Sequence, residues 1–457
     1  MTEPWVDDGN AALLVDQYEL TMLQAYWREE MFGEAVFSLF SRRLPRPRNY
    51  LLACGLEDAL HYLERLHFDQ EALDYLSTLP ELSGEFLDWL GDLRFTGDVY
   101  AVPEGTPVFA NEPLIEIEAP LPEGQVVETF LMNQLNTQTL VASKASRVVT
   151  AANGRSVVDF GLRRAHGADA GLKGARAYHI AGLDGTSNVL AGKIWGVPVT
   201  GTMAHSYIQA HDDEIEAFRA FLELYPETVL VVDTYDSLSA VAKIVRLARE
   251  LGDDFKLRAI RLDSGDLAEL AREARRMLDE GGLASVRIFA SGGLDEYQVA
   301  GLVAEGAPID GFGVGTALAV SQDAPALDFA YKLTAYDGVG RIKVAPGKPV
   351  LPGRKQVYRV EDGHYARHDI VALADERLDG RPLLRKVMEG GKRLEAGREP
   401  LDAARRRARA EIDRLLPGIR ALEPADPPYP VHVSDRLQRW QQELIDEIEN
   451  PRPASRA

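Results

Sequence analysis

Cysteine is nearly absent: Cys54 is the only one among 457 residues. No intrachain disulfide can form, which points to a reducing compartment. The first ten residues, MTEPWVDDGN, are acidic and lack the basic segment and apolar run of an export signal. No apolar run approaches the ~18–20 residues that span a bilayer. These absences predict a cytoplasmic protein with no membrane partner. Positive charge is also scarce. Fifty-one Lys and Arg face 71 Asp and Glu, a formal net charge of −20. Non-specific nucleic-acid binding needs a basic surface, so it is not expected. A small anion is still admissible, because a local arginine cluster dominates the field within about 8–10 Å. There is no Walker A sequence and no short internal repeat.

What the chain has is material for a large core, with 46% hydrophobic and 27% charged residues. Its length suggests two or three domains, or a barrel with an added domain. From Leu20 to Trp27 the apolar residues follow helical spacing after a possible N-cap at Asp16. Ala35, Phe37 and Leu39 alternate as in a strand, and a helix is predicted from about Leu56 to Leu66. Residues 1–125 read as an α+β domain. From 126 a long helical run precedes short apolar strands that alternate with helical segments up to about 335. Repeated strand, polar loop and helix predict a parallel α/β architecture, a TIM-like barrel in preference to an open doubly wound sheet. After Tyr331 the pattern dissolves into a Pro-, Gly- and Lys/Arg-rich stretch, an arginine-rich helix and a frayed tail, ENPRPASRA.

In such barrels reacting groups gather past the C-terminal strand ends. After SVVDF come Gly161, Arg163 and Arg164. After VPVTGT comes His205, and after VLVV come Asp233 and Asp236. After LRAI come Arg261, Asp263, Ser264 and Asp266. The last two strands lead into Ser291, Gly292 and Gly293, and into Gly313, Gly315 and Thr316. The glycine ends can present backbone N–H groups to a phosphate, or serve only as tight turns. Arg261 and Asp263 share strand parity and form either a structural ion pair or an anion grip beside a carboxylate. A lone histidine is more often structural. His205 is weighted toward chemistry by its strand-end position and by Asp233 on the next strand, a natural partner that would fix its tautomer.

These strand ends, in this order, resemble the nicotinate phosphoribosyltransferase family, the type II phosphoribosyltransferases. The similarity runs through DQYELTMLQAYW, FSLFSRRLPRPRNYLLACGLEDAL, EGTPVFANEPLIEIEAP, DFGLRRAHG, GTSNVLAG, GTMAHS, DTYDSL, RLDSGDL, ASGGLDE and GFGVGT, and on through GRKQVYR and PYPVHVS. It implies an irregular α/β barrel at 126–335 and an N-terminal sandwich domain completed by the segments of 336–457. It implies a homodimer with shared sites, and transfer of phosphoribosyl from phosphoribosyl pyrophosphate to nicotinate. ATP is then a co-substrate, Mg²⁺ is required, and His205 is transiently phosphorylated. The resemblance puts Tyr18 of the partner and Phe160 on the two faces of the pyridine. Arg261 holds the carboxylate with Thr202 nearby, and Arg163 reaches the phosphates. Gly292, Gly293, Gly313, Gly315 and Thr316 form the loops around the 5-phosphate. Asp233 and Asp263 share ribose, metal and histidine contacts in an unapportioned way. Arg42 and Lys355 are weaker phosphate candidates, and the role of the basic 347–359 segment stays open. The related nicotinamide enzyme carries Asp where GTSNV has Ser187. Two anions about 4 Å apart repel by roughly 1–4 kcal/mol, so Ser187 points to nicotinate. A nicotinamide- or quinolinate-using relative is the alternative, followed by a non-catalytic nucleotide-binding one.

Overall fold

The computed structural model describes residues 5–344 and 350–450. The end of the predicted frayed tail, the first four residues and the start of the basic segment lie outside the described residues. The chain divides into two compact units, 1–140 with 326–457, and 141–325. The boundaries expected at 125 and 335 therefore move. The helix Glu128–Ala152 crosses 140/141 without a break, so its periodicity gives no sign of the division. Strand Phe329–Tyr336 pairs along Glu34–Ser41, from Ala35 with Tyr336 to Ser41 with Phe329, which takes it into the first unit.

The first unit holds a seven-stranded antiparallel sheet whose centre is Glu34–Ser41, Pro113–Pro120 and Asp98–Ala101. Strands from beyond 326 flank it on both sides. A four-stranded sheet is built around Lys355–Asp362 and Tyr365–Leu373. Leu39, Val99 and Ile117 of one sheet and Val357 and Val371 of the other lie in one buried cluster with Leu60, Phe86 and Leu437 of the helices. Asp16 does precede the helix Gln17–Arg28, but its side chain does not cap it. Its carboxylate accepts instead from the Thr129 hydroxyl at 3.0 Å. The basic segment turns inward where it is described. Arg359 is 1% exposed and grips Asp369 through Nε and Nη2. Lys355 Nζ donates to the carbonyls of Gly353 and Leu351 and lies 3.4 Å from Glu116. Burial pushes the Lys355 ammonium below its usual pKa, against the pull of Glu116.

The second unit carries six parallel strands: β1 (Ser156–Asp159), β2 (Gly185–Thr186), β3 (Val229–Val231), β4 (Ala259–Leu262), β5 (Arg287–Ala290) and β6 (Gly311–Val314). Their order is β2-β1-β6-β5-β4-β3. Read as a circle, it follows the chain from one strand to the next. A doubly wound sheet reverses direction at a switch point, so this is barrel topology. The barrel is irregular. The predicted strand before His205 reduces to one parallel bridge, Thr186 with Val199. Pro198 has no N–H to give a ladder and Gly201 follows, so the segment binds β2 only through Pro198 O and Thr200 N. Between that segment and β3 the described ladder is open. Val158, Phe160, Thr202, Val229, Ala259 and Phe289 face a common cavity of about 110 Å³.

Candidate active site

Phe160 and Thr202 line the cavity on the side of the C-terminal strand ends, and Thr202 joins it to the charged residues there. Arg261 is one place inward from the end of β4, and its side chain is only 13% exposed. Its Nη1 donates to the Thr202 hydroxyl and, at 3.3 Å, to the Met203 carbonyl. Its Nη2 lies 3.6 Å from Asp263 Oδ1, and its buried Nε has no partner among the described residues. The guanidinium is thus fixed on one edge and unsatisfied on another. Such a group is built to receive an acceptor.

His205 begins the short helix His205–Gln209 and is about one-third exposed. Nδ1 lies 3.1 Å from the Thr234 hydroxyl, and Nε2 lies 3.8 Å from Asp263 Oδ2. The carboxylate facing the imidazole is therefore Asp263, where the strand order alone suggested Asp233. Asp233 is turned elsewhere for a local reason. Its Oδ2 accepts from the Asp263 amide at 3.1 Å and from the Ser264 hydroxyl at 2.5 Å, which ties the ends of β3 and β4. The other oxygen, Oδ1, is buried without a partner. Asp263 also accepts from the Ser291 hydroxyl, so it links the ends of β4 and β5.

The glycines divide by physical role. A Cβ on Gly292 would sit 1.7 Å from the Asp263 carbonyl oxygen, and φ is +90°, so only glycine fits. Gly293, at φ +67°, faces open space. Among the described residues the amides of Gly292, Gly293 and Leu294 have no acceptor. The first turn of the next helix is already satisfied, since Asp295 caps Tyr297 and Gln298. Gly313 serves an aromatic wall: a Cβ there would come within 2.5 Å of the Phe160 ring. Gly311 makes the same room for Phe289, whose ring lies 6.2 Å from that of Phe160. Gly315 approaches the Phe160 carbonyl, and Thr316 opens a four-residue helix.

The remaining expected residues are more dispersed. Arg163 is exposed in the turn Leu162–Arg164 and has no side-chain partner among the described residues. Ser187 is half-buried, and its amide donates to the Asp159 carbonyl at 2.9 Å. Tyr18 belongs to the first unit, on the helix Gln17–Arg28, and is 47% exposed. Burial, then Glu128 and Glu19, raises its hydroxyl pKa. Arg42 pairs with Asp328 at 3.2 Å through Nη1 and stays partly exposed, and Lys355 is turned inward as described. Two participants were not expected, Thr234 behind the imidazole and Asp159 at the end of β1. Their signal in the sequence is slight: a hydroxyl beside Asp233, and one acid closing an apolar strand.

Among the described residues no three His, Cys, Asp or Glu side chains are gathered to hold a metal. The donors present still suit Mg²⁺. It commonly takes one or two carboxylates and completes its shell with water and substrate phosphates, and Asp233 Oδ1 is an uncommitted hard oxygen.

Residues 13–136 match the nicotinate phosphoribosyltransferase N-terminal domain, and residues 155–377 match the nicotinate phosphoribosyltransferase family. The chain is 54% identical over 427 residues to nicotinate phosphoribosyltransferase pncB2 of Mycobacterium tuberculosis, covering 93% of this chain and 92% of that one. It is 43% identical over 395 residues to the Bacillus subtilis nicotinate phosphoribosyltransferase, covering 84% and 81%. The crystal structure of human nicotinic acid phosphoribosyltransferase superposes with a TM-score of 0.84 at 28% identity, covering 94% of this chain and all of that one.

Proposed function

The chain belongs to the nicotinate phosphoribosyltransferase family, and from that premise we propose that it makes nicotinate mononucleotide in NAD salvage. The pyridine nitrogen of nicotinate attacks the anomeric carbon of phosphoribosyl pyrophosphate. The C–N bond forms as the C–O bond to pyrophosphate breaks, and pyrophosphate leaves with the bond's electrons. The observation that carries this reading is the unsatisfied edge of Arg261, whose partner Thr202 lines a small cavity walled by Phe160 and Phe289. It matches a flat ring bearing one carboxylate.

No protein nucleophile is needed, so the residues act by position and charge. Arg261 takes the carboxylate in the planar fork that guanidinium offers, with Thr202 holding the other edge of the fork. Phe160 covers one ring face. Tyr18 of a second copy would cover the other, and the exposed Val189, Leu190 and Ile194 are apolar surface that a homodimer would bury. The free amides of Gly292 and Gly293, with Gly315 and Thr316, receive the 5-phosphate, and Arg163 reaches toward the pyrophosphate. Asp263 stabilises the positive charge that develops on the sugar. Asp233 Oδ1 would hold Mg²⁺, with Asp263 as the second carboxylate, and the ion would neutralise the pyrophosphate.

His205 is the ATP-dependent element of the proposal. The unprotonated imidazole nitrogen attacks the γ-phosphorus of ATP, the P–O bond to ADP breaks as P–N forms, and the opposite ring nitrogen gives up its proton to water. Water later cleaves P–N and releases phosphate. The negative charge present between those steps faces Asp263 and the pyrophosphate position, so it alters how tightly the anions are held. A quinolinate-using enzyme needs cationic grip for a second carboxylate and no phosphohistidine. The test offers nicotinate, nicotinamide and quinolinate separately with phosphoribosyl pyrophosphate, with and without ATP. Nicotinate alone should be consumed well, and faster with ATP. Preference for either rival pyridine would overturn the assignment.

A further inference from the structure

We propose that Asp159 is a positioning residue that locks the Ser187 turn to the aromatic and glycine walls of the pocket, and so sets the selectivity for the pyridine. The proposal rests on the reading of the pocket as a nicotinate site. Asp159 closes β1, is 1% exposed, and has no cationic partner among the described residues. A buried carboxylate without a counter-ion is costly unless its hydrogen bonds are good and its place matters.

Its bonds join the stretch 159–161 to the stretch 186–188. Oδ1 accepts from the Gly161 amide at 2.6 Å, and Oδ2 accepts from the Thr186 hydroxyl at 2.6 Å. Its main-chain carbonyl accepts from the Ser187 amide at 2.9 Å. The Thr186 hydroxyl in turn accepts from the Asn188 amide at 3.1 Å, and Asn188 caps the following helix through Ala191. Ser187 is therefore held by the Asp159 main-chain carbonyl, and its neighbours Thr186 and Asn188 are tied to the Asp159 carboxylate through the Thr186 hydroxyl. On the other side Gly161 is held so close to the Gly315 loop that an added Cβ would lie 2.9 Å from the Gly315 carbonyl oxygen. Phe160 lies between the two, with its ring on Gly313. One buried acid thus sets the distance between the residue that selects the pyridine substituent, the ring that covers the pyridine, and the loop that takes the phosphate.

Thr186→Val removes only the hydroxyl link and keeps the shape. The nicotinate KM is expected to rise about tenfold or more, since displacements of ~1 Å in a site carry effects up to ~10²-fold. The preference for nicotinate over nicotinamide should narrow, while the KM for phosphoribosyl pyrophosphate changes little. Thr186→Ser keeps the hydroxyl and should restore both. Asp159→Asn, which must turn an NH₂ toward one of two donors, should disturb both substrates' KM. A Thr186→Val enzyme with lower melting temperature but unchanged KM values and selectivity would overturn the proposal. Amide exchange tests the mechanics whichever pyridine the wild type uses. The Gly161 and Ser187 amides should exchange faster together in Thr186→Val, and acceleration at Ser187 alone would contradict the coupling. A wild type that ignores nicotinate would count against the pocket reading and leave the exchange result to decide the coupling.

Discussion

Replacing Arg261 by alanine tests the pocket where its chemistry is most specific. The guanidinium is held by Thr202, Met203 and, at 3.6 Å, Asp263, and it keeps a buried Nε with no partner. Nicotinate's carboxylate would accept from the free edge in one or two charge-assisted bonds, each worth roughly 1.5–3 kcal/mol. Taking about 3 kcal/mol for the pair gives a nicotinate KM about 150-fold higher. Arg261→Lys keeps the charge and loses the planar fork, so its KM should fall between the two. The assay is steady-state formation of nicotinate mononucleotide with nicotinate varied at saturating phosphoribosyl pyrophosphate, repeated with that substrate varied. The KM increase should fall mainly on nicotinate. An unchanged nicotinate KM in a folded Arg261→Ala enzyme would refute the reasoning.

His205→Ala should fold as the wild type does and lose stimulation by ATP, which rate measurements with and without ATP would register. Ser187→Asp brings a carboxylate toward nicotinate's own, and at roughly 1–4 kcal/mol of repulsion its kcat/KM for nicotinate should fall by about tenfold or more relative to nicotinamide. Gly292→Ala combines a left-handed backbone with a Cβ 1.7 Å from the Asp263 carbonyl oxygen, whereas Gly293→Ala meets open space. Chemical unfolding should show a much larger loss for the first, and for the second about the 1–2 kcal/mol of a strained φ. Glu19 is wholly buried with Oε2 unpartnered, and burial pushes its pKa from about 4.5 up to about 8. The folded state then holds a proton that the unfolded chain releases, so the contribution of Glu19 to stability is full below about pH 4.5 and is lost as pH rises through about 8. Glu19→Gln should flatten that decline in a series of melting temperatures.

The barrel was legible because its evidence is local. Short apolar strands, polar ends and intervening helices repeat along the chain, and the positions of Arg261, Asp263 and the glycines follow from where strands stop. Which carboxylate faces His205 was not legible. It depends on Asp233 bonding the Asp263 amide, a contact between strand ends that no spacing encodes. The helix Glu128–Ala152 conceals a unit boundary because it runs through 140/141 without a break, and residues 138–148 are buried on all faces. The return of Phe329–Tyr336 to pair with Glu34–Ser41 is equally non-local. Lys355 and Arg359 looked like a basic surface, and their burial depends on Glu116 and Asp369, which lie far from the Lys355 or on another strand. The role of Asp159 was not legible because it depends on Thr186, 27 residues away on the neighbouring strand, a pairing that no spacing encodes.

The most direct measurement is product analysis after incubating the purified protein with nicotinate, phosphoribosyl pyrophosphate, Mg²⁺ and ATP. Nicotinate mononucleotide and pyrophosphate should accumulate in equal amounts, with phosphate released from ATP alongside. Intact phosphoribosyl pyrophosphate and unreacted nicotinate at the end of the incubation would contradict the central claim.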